Sequence, residues 1–276
     1  MTNLDFTAIV FSKNRPMQLF ALLESMFVRT DIKPSNVIVV TKMEHDYVMP
    51  YFSLEEEITK KYGKGLNIVQ EYSFKEQVLK LLTNSNSFVS FFTDDDVFKS
   101  QASLDTVCKL LKSNPQILTF SLRLGQNLNF CHSVQKPQAV PTGIQHGMFF
   151  FYNWRGTDWD WGYPLSVDGH VFRRDEILQL ASSCGNWHSP NTFEGALSQL
   201  HPYIPSPQMS CYMSSVLFNI PHNQVNVDVD NFNAGNSEKE LLELWLDNKK
   251  IDISTFHNIK NTSAHQMVSF KFIKRK

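Results

Sequence analysis

Short apolar runs alternate with amphipathic stretches through the first part of the chain. Residues 6–11 (FTAIVF), 37–41 (VIVVT), 66–69, 88–92 (FVSFF) and 117–122 (ILTFSL) read as five strands. Continuous runs rich in β-branched and aromatic residues suit strands covered on both faces. Between them lie stretches with helical spacing. One follows Pro16, which suits the first turn of a helix, and continues as LFALLESMF. EEEITKKY, residues 74–82 and residues 102–113 supply the others. Apolar strands separated by helices predict βαβ units and an α/β fold with a mostly parallel sheet flanked by helices.

The pattern changes after residue 122. Residues 123–147 are polar, hold Pro and Gly, and show no periodicity, which predicts a long loop of the kind that often carries function. GMFFFYNW and DWDWGYPLSVDGHVFRR follow, then helices near 174–182 and 191–200 and a late strand in CYMSSVLFNI. Residues 237–247 (SEKELLELWLD) predict a final amphipathic helix capped by Ser237. The chain thus divides into 1–122, 123–236 and a C-terminal helix and basic tail, 237–276.

Composition narrows the class. With 276 residues, 42% hydrophobic and 19% charged, the chain is long and apolar enough to bury a core and is not a disordered polymer. A formal net charge of −1 argues against a strongly basic nucleic-acid binder. No uncharged apolar run reaches the ~18 residues of a membrane span, and the N-terminus does not read as a signal peptide. The four cysteines (Cys108, Cys131, Cys184, Cys211) lie far apart with no CxxC pair. Neither a zinc site nor a disulfide framework is indicated, and the cytoplasm is the expected location. The tail FKFIKRK is basic and aromatic and is compatible with peripheral contact to an anionic membrane.

The main chemical signal is Asp94-Asp95-Asp96, directly after FVSFF. Ligands of open parallel α/β sheets bind beyond the carboxyl ends of the strands. Three adjacent carboxylates repel one another there, and a divalent cation is the usual counter-charge. Such an ion, Mn²⁺ or Mg²⁺, suits a diphosphate substrate. Trp154, Trp159, Trp161 and Tyr163 form a dense aromatic cluster. Rigid aromatics cover the apolar faces of sugar rings at low entropic cost, so Trp159, Asp160 and Trp161 are candidate substrate residues, with Asp160 accepting from a hydroxyl. Asp168 in SVDGH is a candidate base, or Asp168-Gly169 is only a tight turn.

The order and spacing of these pieces resemble the GT-A fold glycosyltransferases, in particular the inverting, family-2-like group with a DxD motif. The resemblance spans roughly residues 5–225 and rests on four segments. FTAIVFSKNRPMQL resembles the opening strand and nucleotide-holding loop, which implies that Ser12, Lys13 and Arg15 lie beside the nucleotide. FVSFFTDDDVF resembles the DxD segment, with Asp94 and Asp96 at its outer positions and Asp95 beside the diphosphate. VDGHVFRRDEILQLASSCGNWHSPNTFEGAL resembles the stretch ending in a Glu-Asp dipeptide, which places Glu194 as catalytic base in the first turn of its helix. LFNIPHNQVN resembles the late segment that presents a histidine to the metal, here His222. Arg173, Arg174 and Lys75 are further cations expected near the nucleotide side. The chain departs from the pattern twice: the dipeptide is Glu194-Gly195, and no acid follows the second strand, where the chain reads Thr41-Lys42.

The resemblance implies a metal-dependent transfer of sugar from a nucleotide-diphosphate sugar (UDP- or GDP-linked) to a hydroxyl of a glycan, glycolipid or other acceptor, with inversion. Residues 1–122 would bind the nucleotide sugar and 123–236 the acceptor. A sugar-1-phosphate nucleotidylyltransferase is the enzymatic alternative, although SKNRPMQL lacks the glycine-rich phosphate loop that chemistry expects. A non-catalytic nucleotide- or carbohydrate-binding module is the other.

Overall fold

The structure is a computed structural model that describes residues 4–222 and 235–275. Strand β1 (Phe6–Lys13) is buried along its whole length except at Lys13, as a strand covered on both faces must be. Helix α1 (Pro16–Arg29) opens on Pro16, and β2 (Val37–Lys42), α2 (Val48–Tyr62), β3 (Asn67–Gln70), α3 (Phe74–Thr83) and β4 (Phe88–Thr93) complete the repeating units. A three-residue strand β5 (Asp96–Phe98), helix α4 (Leu104–Ser113) and β6 (Ile117–Ser121) follow.

The second half contributes a two-residue ladder, β7 (Phe130–Cys131) with β8 (Lys136–Pro137), and a hairpin, β9 (Gly143–His146) with β10 (Phe149–Asn153). Then come β11 (His170–Arg173), α5 (Arg174–Ser183), α6 (Pro190–Ser198), β12 (Gln208–Tyr212) and β13 (Leu217–Asn219). Helix α7 (Glu238–Leu246) precedes a small hairpin of β14 (Lys249–Ile251) and β15 (Phe272–Lys274). The segment expected to be one long loop, 123–147, therefore holds β7, β8 and β9, the first strand of the edge hairpin. The apolar stretch expected to be one late strand, CYMSSVLFNI, is split, because β12 joins the main sheet while β13 pairs with β5.

Nine strands form the main sheet in the order β3-β2-β1-β4-β11-β6-β12-β10-β9. Strands β3, β2, β1 and β4 are mutually parallel, and β6 and β12 run with them. Strand β11 is antiparallel to both of its neighbours, β4 and β6. The two halves of the chain thus share one sheet, and the α/β architecture with helices on both faces is as expected. Alternation along β1 sends Ala8 and Val10 to one core, under α1, α2, α4 and α7, and Ile9 and Phe11 to the other, under α3, α5 and α6.

The reversal of β11 positions the site. Because β11 runs against β4 and β6, its beginning lies at their carboxyl ends, where His170 stands opposite Ser121. The residues just before it, Asp168 and Gly169, are carried to the same edge as Asp94. Gly169 adopts φ +65, and its N–H donates to the Phe91 carbonyl. A Cβ there would strike Leu217, so glycine is required both for the turn and for the close approach. The end of β11 lies at the opposite edge, where Arg173 stands opposite Phe88. Among the described residues no helix is long and apolar enough to cross a membrane.

Candidate active site

The ends of β1 and β4 are locked together at the aspartate corner. Asp94 is buried and accepts from the Ser12 hydroxyl (2.8 Å), the Lys13 backbone N–H (3.1 Å) and the Arg15 guanidinium (2.9 Å). The same Arg15 nitrogen reaches Asp95 at 3.1 Å, and the Asn219 amide donates to the other Asp95 oxygen at 2.8 Å. The counter-charge that three consecutive carboxylates require is thus partly Arg15, on the loop after β1. Burial raises the Asp94 carboxyl to about 6 even so, with Arg15 opposing the rise.

Asp96 faces the second half of the chain. It is fully buried, one oxygen accepts from the Thr93 N–H at 3.1 Å, and Oδ1 has no hydrogen-bond partner among the described residues. Burial, then the nearby charges of Asp168 and Asp95, push it well above the ordinary carboxylate range.

Asp168 is held from three sides. Thr93 Oγ1 donates to Oδ1 at 3.0 Å, Arg123 Nη1 approaches Oδ2 at 3.4 Å, and His265 Nε2 lies 3.6 Å from Oδ2. Burial alone would raise its carboxyl, but the neighbouring His265 and the charge of Arg123 bring it down to about 2. Arg123 follows β6 and is itself buried. Burial disfavours its charge, but Asp168, Asp160, Glu194 and Asp96 surround it and outweigh that cost.

Glu194 completes the group. Its Oε1 accepts from the Val167 N–H at 2.9 Å, so α6 is tied to the loop that carries Asp168. Burial and then the charge of Asp168 raise its carboxyl, against Arg123. Glu194 is the fifth residue of α6, whose first turn holds no acidic residue. The expectation that the helix start stabilises its charged form is therefore corrected: the dipole acts within the first turn, and burial beside Asp168 governs this group.

Other expected residues are placed elsewhere. Arg173 donates to the carbonyls of Leu111 (2.5 Å), Asn114 and Ile117 (both 2.8 Å), and Arg174 donates to the Ser85 carbonyl and to Asp175, all at the far edge of the sheet from Asp94. The Lys75 amine donates to the carbonyls of Cys184 and Gly185 and lies over the Trp187 ring. Trp161 is fully buried against Phe150 and Tyr152. Asp160 is buried and bonded by Gln138. Trp159 is the exposed member, 40% accessible with φ +50, and Lys136 lies over its ring. In the C-terminal tail, Arg275 stacks over Trp245 and bonds its carbonyl.

Asp94, Asp96 and His222 do not fit a shared metal ion. Among the described residues no three His, Cys, Asp or Glu side chains converge on one point. The Asp94 oxygens are taken by Ser12, Lys13 and Arg15. His222 is stacked on Phe270 with ring centroids 3.8 Å apart, and its Nε2 accepts from the Asn236 N–H. Of these three residues, Asp96 Oδ1 and His222 Nδ1 are the atoms without a hydrogen-bond partner among the described residues.

Two of the groups that build the site, Arg123 and His265, are not among the residues the sequence singled out. Arg123 carried a signal, since it is a charge two residues beyond a buried strand, much as Asp94 follows β4. His265 carried none.

No family model matches the sequence. The chain is 23% identical over 207 residues to the bifunctional glycosyltransferase pgtA of Dictyostelium discoideum, an alignment covering 67% of this chain and 27% of that protein. The chain therefore corresponds to little more than a quarter of the relative it matches. Among solved structures, S. aureus TarS 1-349 superposes with a TM-score of 0.50 at 15% identity, over 77% of this chain and 59% of that one. That likeness is one of fold.

Proposed function

We propose that this chain is a GT-A glycosyltransferase that moves a sugar from a nucleotide-diphosphate sugar to an acceptor hydroxyl. The observation that carries the reading is the meeting of two halves at one edge. The Thr93-Asp94-Asp95-Asp96 corner, where a donor diphosphate belongs, is hydrogen-bonded to Asp168, and Asp168 sits within the field of Glu194. Transfer chemistry needs those parts together: a donor cradle and a base near the reacting carbon. The similarity to pgtA supports the same class of reaction.

The donor lies along the carboxyl edge against Ser12, Lys13, Arg15, Asp94 and Asp95. Glu194 takes the proton of the acceptor hydroxyl. The acceptor oxygen forms a bond to the anomeric carbon as the bond from that carbon to the phosphate oxygen breaks, and the electron pair leaves with the nucleoside diphosphate. Attack from the face opposite the leaving group inverts the centre. A base works best when its pKa lies near the working pH, and burial beside an ionised Asp168 moves Glu194 in that direction. Asp168, held low by His265 and Arg123, is the permanently charged partner rather than the base. Environments that push two neighbouring carboxyls apart assign them separate roles. Trp159, exposed apart from Lys136 over its ring, is the aromatic residue left to meet a sugar.

Incubation with UDP-glucose, UDP-N-acetylglucosamine and GDP-mannose, in buffer containing Mn²⁺ and Mg²⁺, tests the reading. Slow release of free nucleoside diphosphate from one donor supports it. Formation of nucleotide sugar from nucleoside triphosphate and sugar phosphate instead would replace it with the nucleotidylyltransferase.

A further inference from the structure

We infer that the C-terminal segment is part of the reaction site and that His265 is a positioning residue, fixing Asp168 beside Glu194. The inference rests on the transferase reading. Residues 237–276 read from sequence as a helix and a tail, yet residues 259–266 are bonded into the site on several sides.

Asn219, at the end of β13, is the anchor. Its N–H donates to the Ala264 carbonyl and its carbonyl accepts from the Gln266 N–H, both at 2.9 Å, which forms a parallel bridge opposite His265. The Asn219 side chain meanwhile donates to Thr93 Oγ1 (3.1 Å) and Asp95 (2.8 Å). One residue therefore sets the height of His265 relative to the aspartate corner. Asn261 provides a second anchor. It is 1% exposed, and its side-chain oxygen accepts from Lys99 at 2.6 Å, Ser215 at 3.1 Å and Asn127 at 3.2 Å. The Thr262 carbonyl accepts from the N–H groups of Asn129 and Phe130, and Ser263 Oγ from that of His132.

The arrangement at Asp168 explains the use of these anchors. Thr93 holds one carboxylate oxygen, while Arg123 and His265 approach the other. A carboxylate pinned at one oxygen alone can rotate about its last bond. Contacts at both oxygens, from three separate stretches of chain, set the plane of the group and so the charge that Glu194 feels. Among the described residues, the charged side chain that His265 pairs with is Asp168, not a residue of the proposed donor cradle. Its effect on the reaction runs through Asp168, and its loss belongs in turnover rather than in donor affinity.

The test compares His265→Gln with His265→Leu in the full chain. Gln can place an N–H donor toward Asp168 from a position near Nε2, whereas Leu keeps the bulk without the donor. With UDP-glucose, UDP-N-acetylglucosamine or GDP-mannose as donor and released nucleoside diphosphate as signal, the expected result is a kcat for Leu about 10-fold or more below wild type. Gln should remain within about 3-fold, and donor KM should hold within about 2-fold in both. Equal losses in Gln and Leu, or a rise in donor KM that accounts for the loss, would overturn the role. A second measurement needs no activity: urea unfolding of His265→Leu, Asp168→Asn and the double variant. Non-additive midpoints support the contact, and additive ones refute it. A wild-type chain inert toward all three donors overturns the transferase itself, and this role with it. Loss of the Gln–Leu difference in an active enzyme overturns this role alone.

Discussion

The Thr93 hydroxyl donates to Asp168 Oδ1 across 3.0 Å, joining the last residue of β4 to the loop that leads into β11. The two residues are 75 positions apart in sequence. The same hydroxyl accepts from the Asn219 amide at 3.1 Å, so a single oxygen links the aspartate corner, the loop before β11 and β13.

Replacing that oxygen should therefore harm more than one element. Thr93→Val keeps the shape but leaves the Asn219 amide and one Asp168 oxygen short of a partner. A loss of about 1–3 kcal/mol in stability is expected, the usual cost of a buried group left unsatisfied, together with slower donor turnover. Thr93→Ser, which keeps the hydroxyl, should stay close to wild type. Urea unfolding and nucleoside diphosphate release measure the two effects, and a Val variant as active and stable as Ser would contradict the linkage.

Arg15 is the built-in counter-charge of the aspartate corner. Arg15→Ala leaves Asp94 and Asp95 facing each other in a buried site, and breaking a buried ion pair from one side typically costs about 3–5 kcal/mol. Arg15→Lys restores the charge but not the rigid guanidinium that sets one nitrogen against both carboxylates, so it should recover only part of that loss. Equal stability of all three proteins would mean that something else neutralises the corner.

The tryptophans separate by burial. Trp161→Ala empties a fully buried ring site and should destabilise by about 3–5 kcal/mol. Trp159→Ala removes an exposed ring and should change stability little, while acceptor KM rises several-fold. Unfolding curves beside acceptor titrations distinguish them. A large stability loss at Trp159, or none at Trp161, would reverse the assignment.

His170 gives the fold an acid-sensitive element. Burial, then the charge of Arg123, hold its imidazole down to about 3, against the opposing Pro164 carbonyl and Asp168. An unfolded histidine takes up its proton near pH 6.5. Between those values the unfolded chain binds the extra proton, so stability falls as pH drops below about 6.5, by at most about 1.4 kcal/mol per unit. His170→Gln removes this contribution, and its urea midpoint should decline less between pH 6.5 and 4.5 than that of wild type. Parallel declines would show that His170 is not the group responsible.

The parallel half of the fold was legible because strands covered on both faces must be continuous apolar runs, as β1 and β4 are. Strand β5 was hidden by its length, and β12 and β13 were fused because apolar residues flank Ser214 and Ser215 on both sides. Asp94–Asp96 and Asp168 could be read as chemistry from their position after a strand and before a turn. Strand direction could not be read in the same way. Arg173 and Arg174 lie close to Asp168 in sequence, but β11 runs antiparallel and carries them to the far edge of the sheet. Lys75 looked like a ligand because it opens a helix, whereas its amine is engaged by the carbonyls that follow α5. His265 depends on the Asn219 bridge, a contact between distant segments with no local pattern to announce it.

The most direct measurement is a comparison of wild type with Glu194→Gln on one nucleotide-sugar donor, reading affinity by calorimetry and nucleoside diphosphate release by chromatography. Unchanged donor affinity with release slowed by about 10²-fold or more, the usual worth of a general base, is the predicted result. Release that survives the substitution at the wild-type rate would contradict the account.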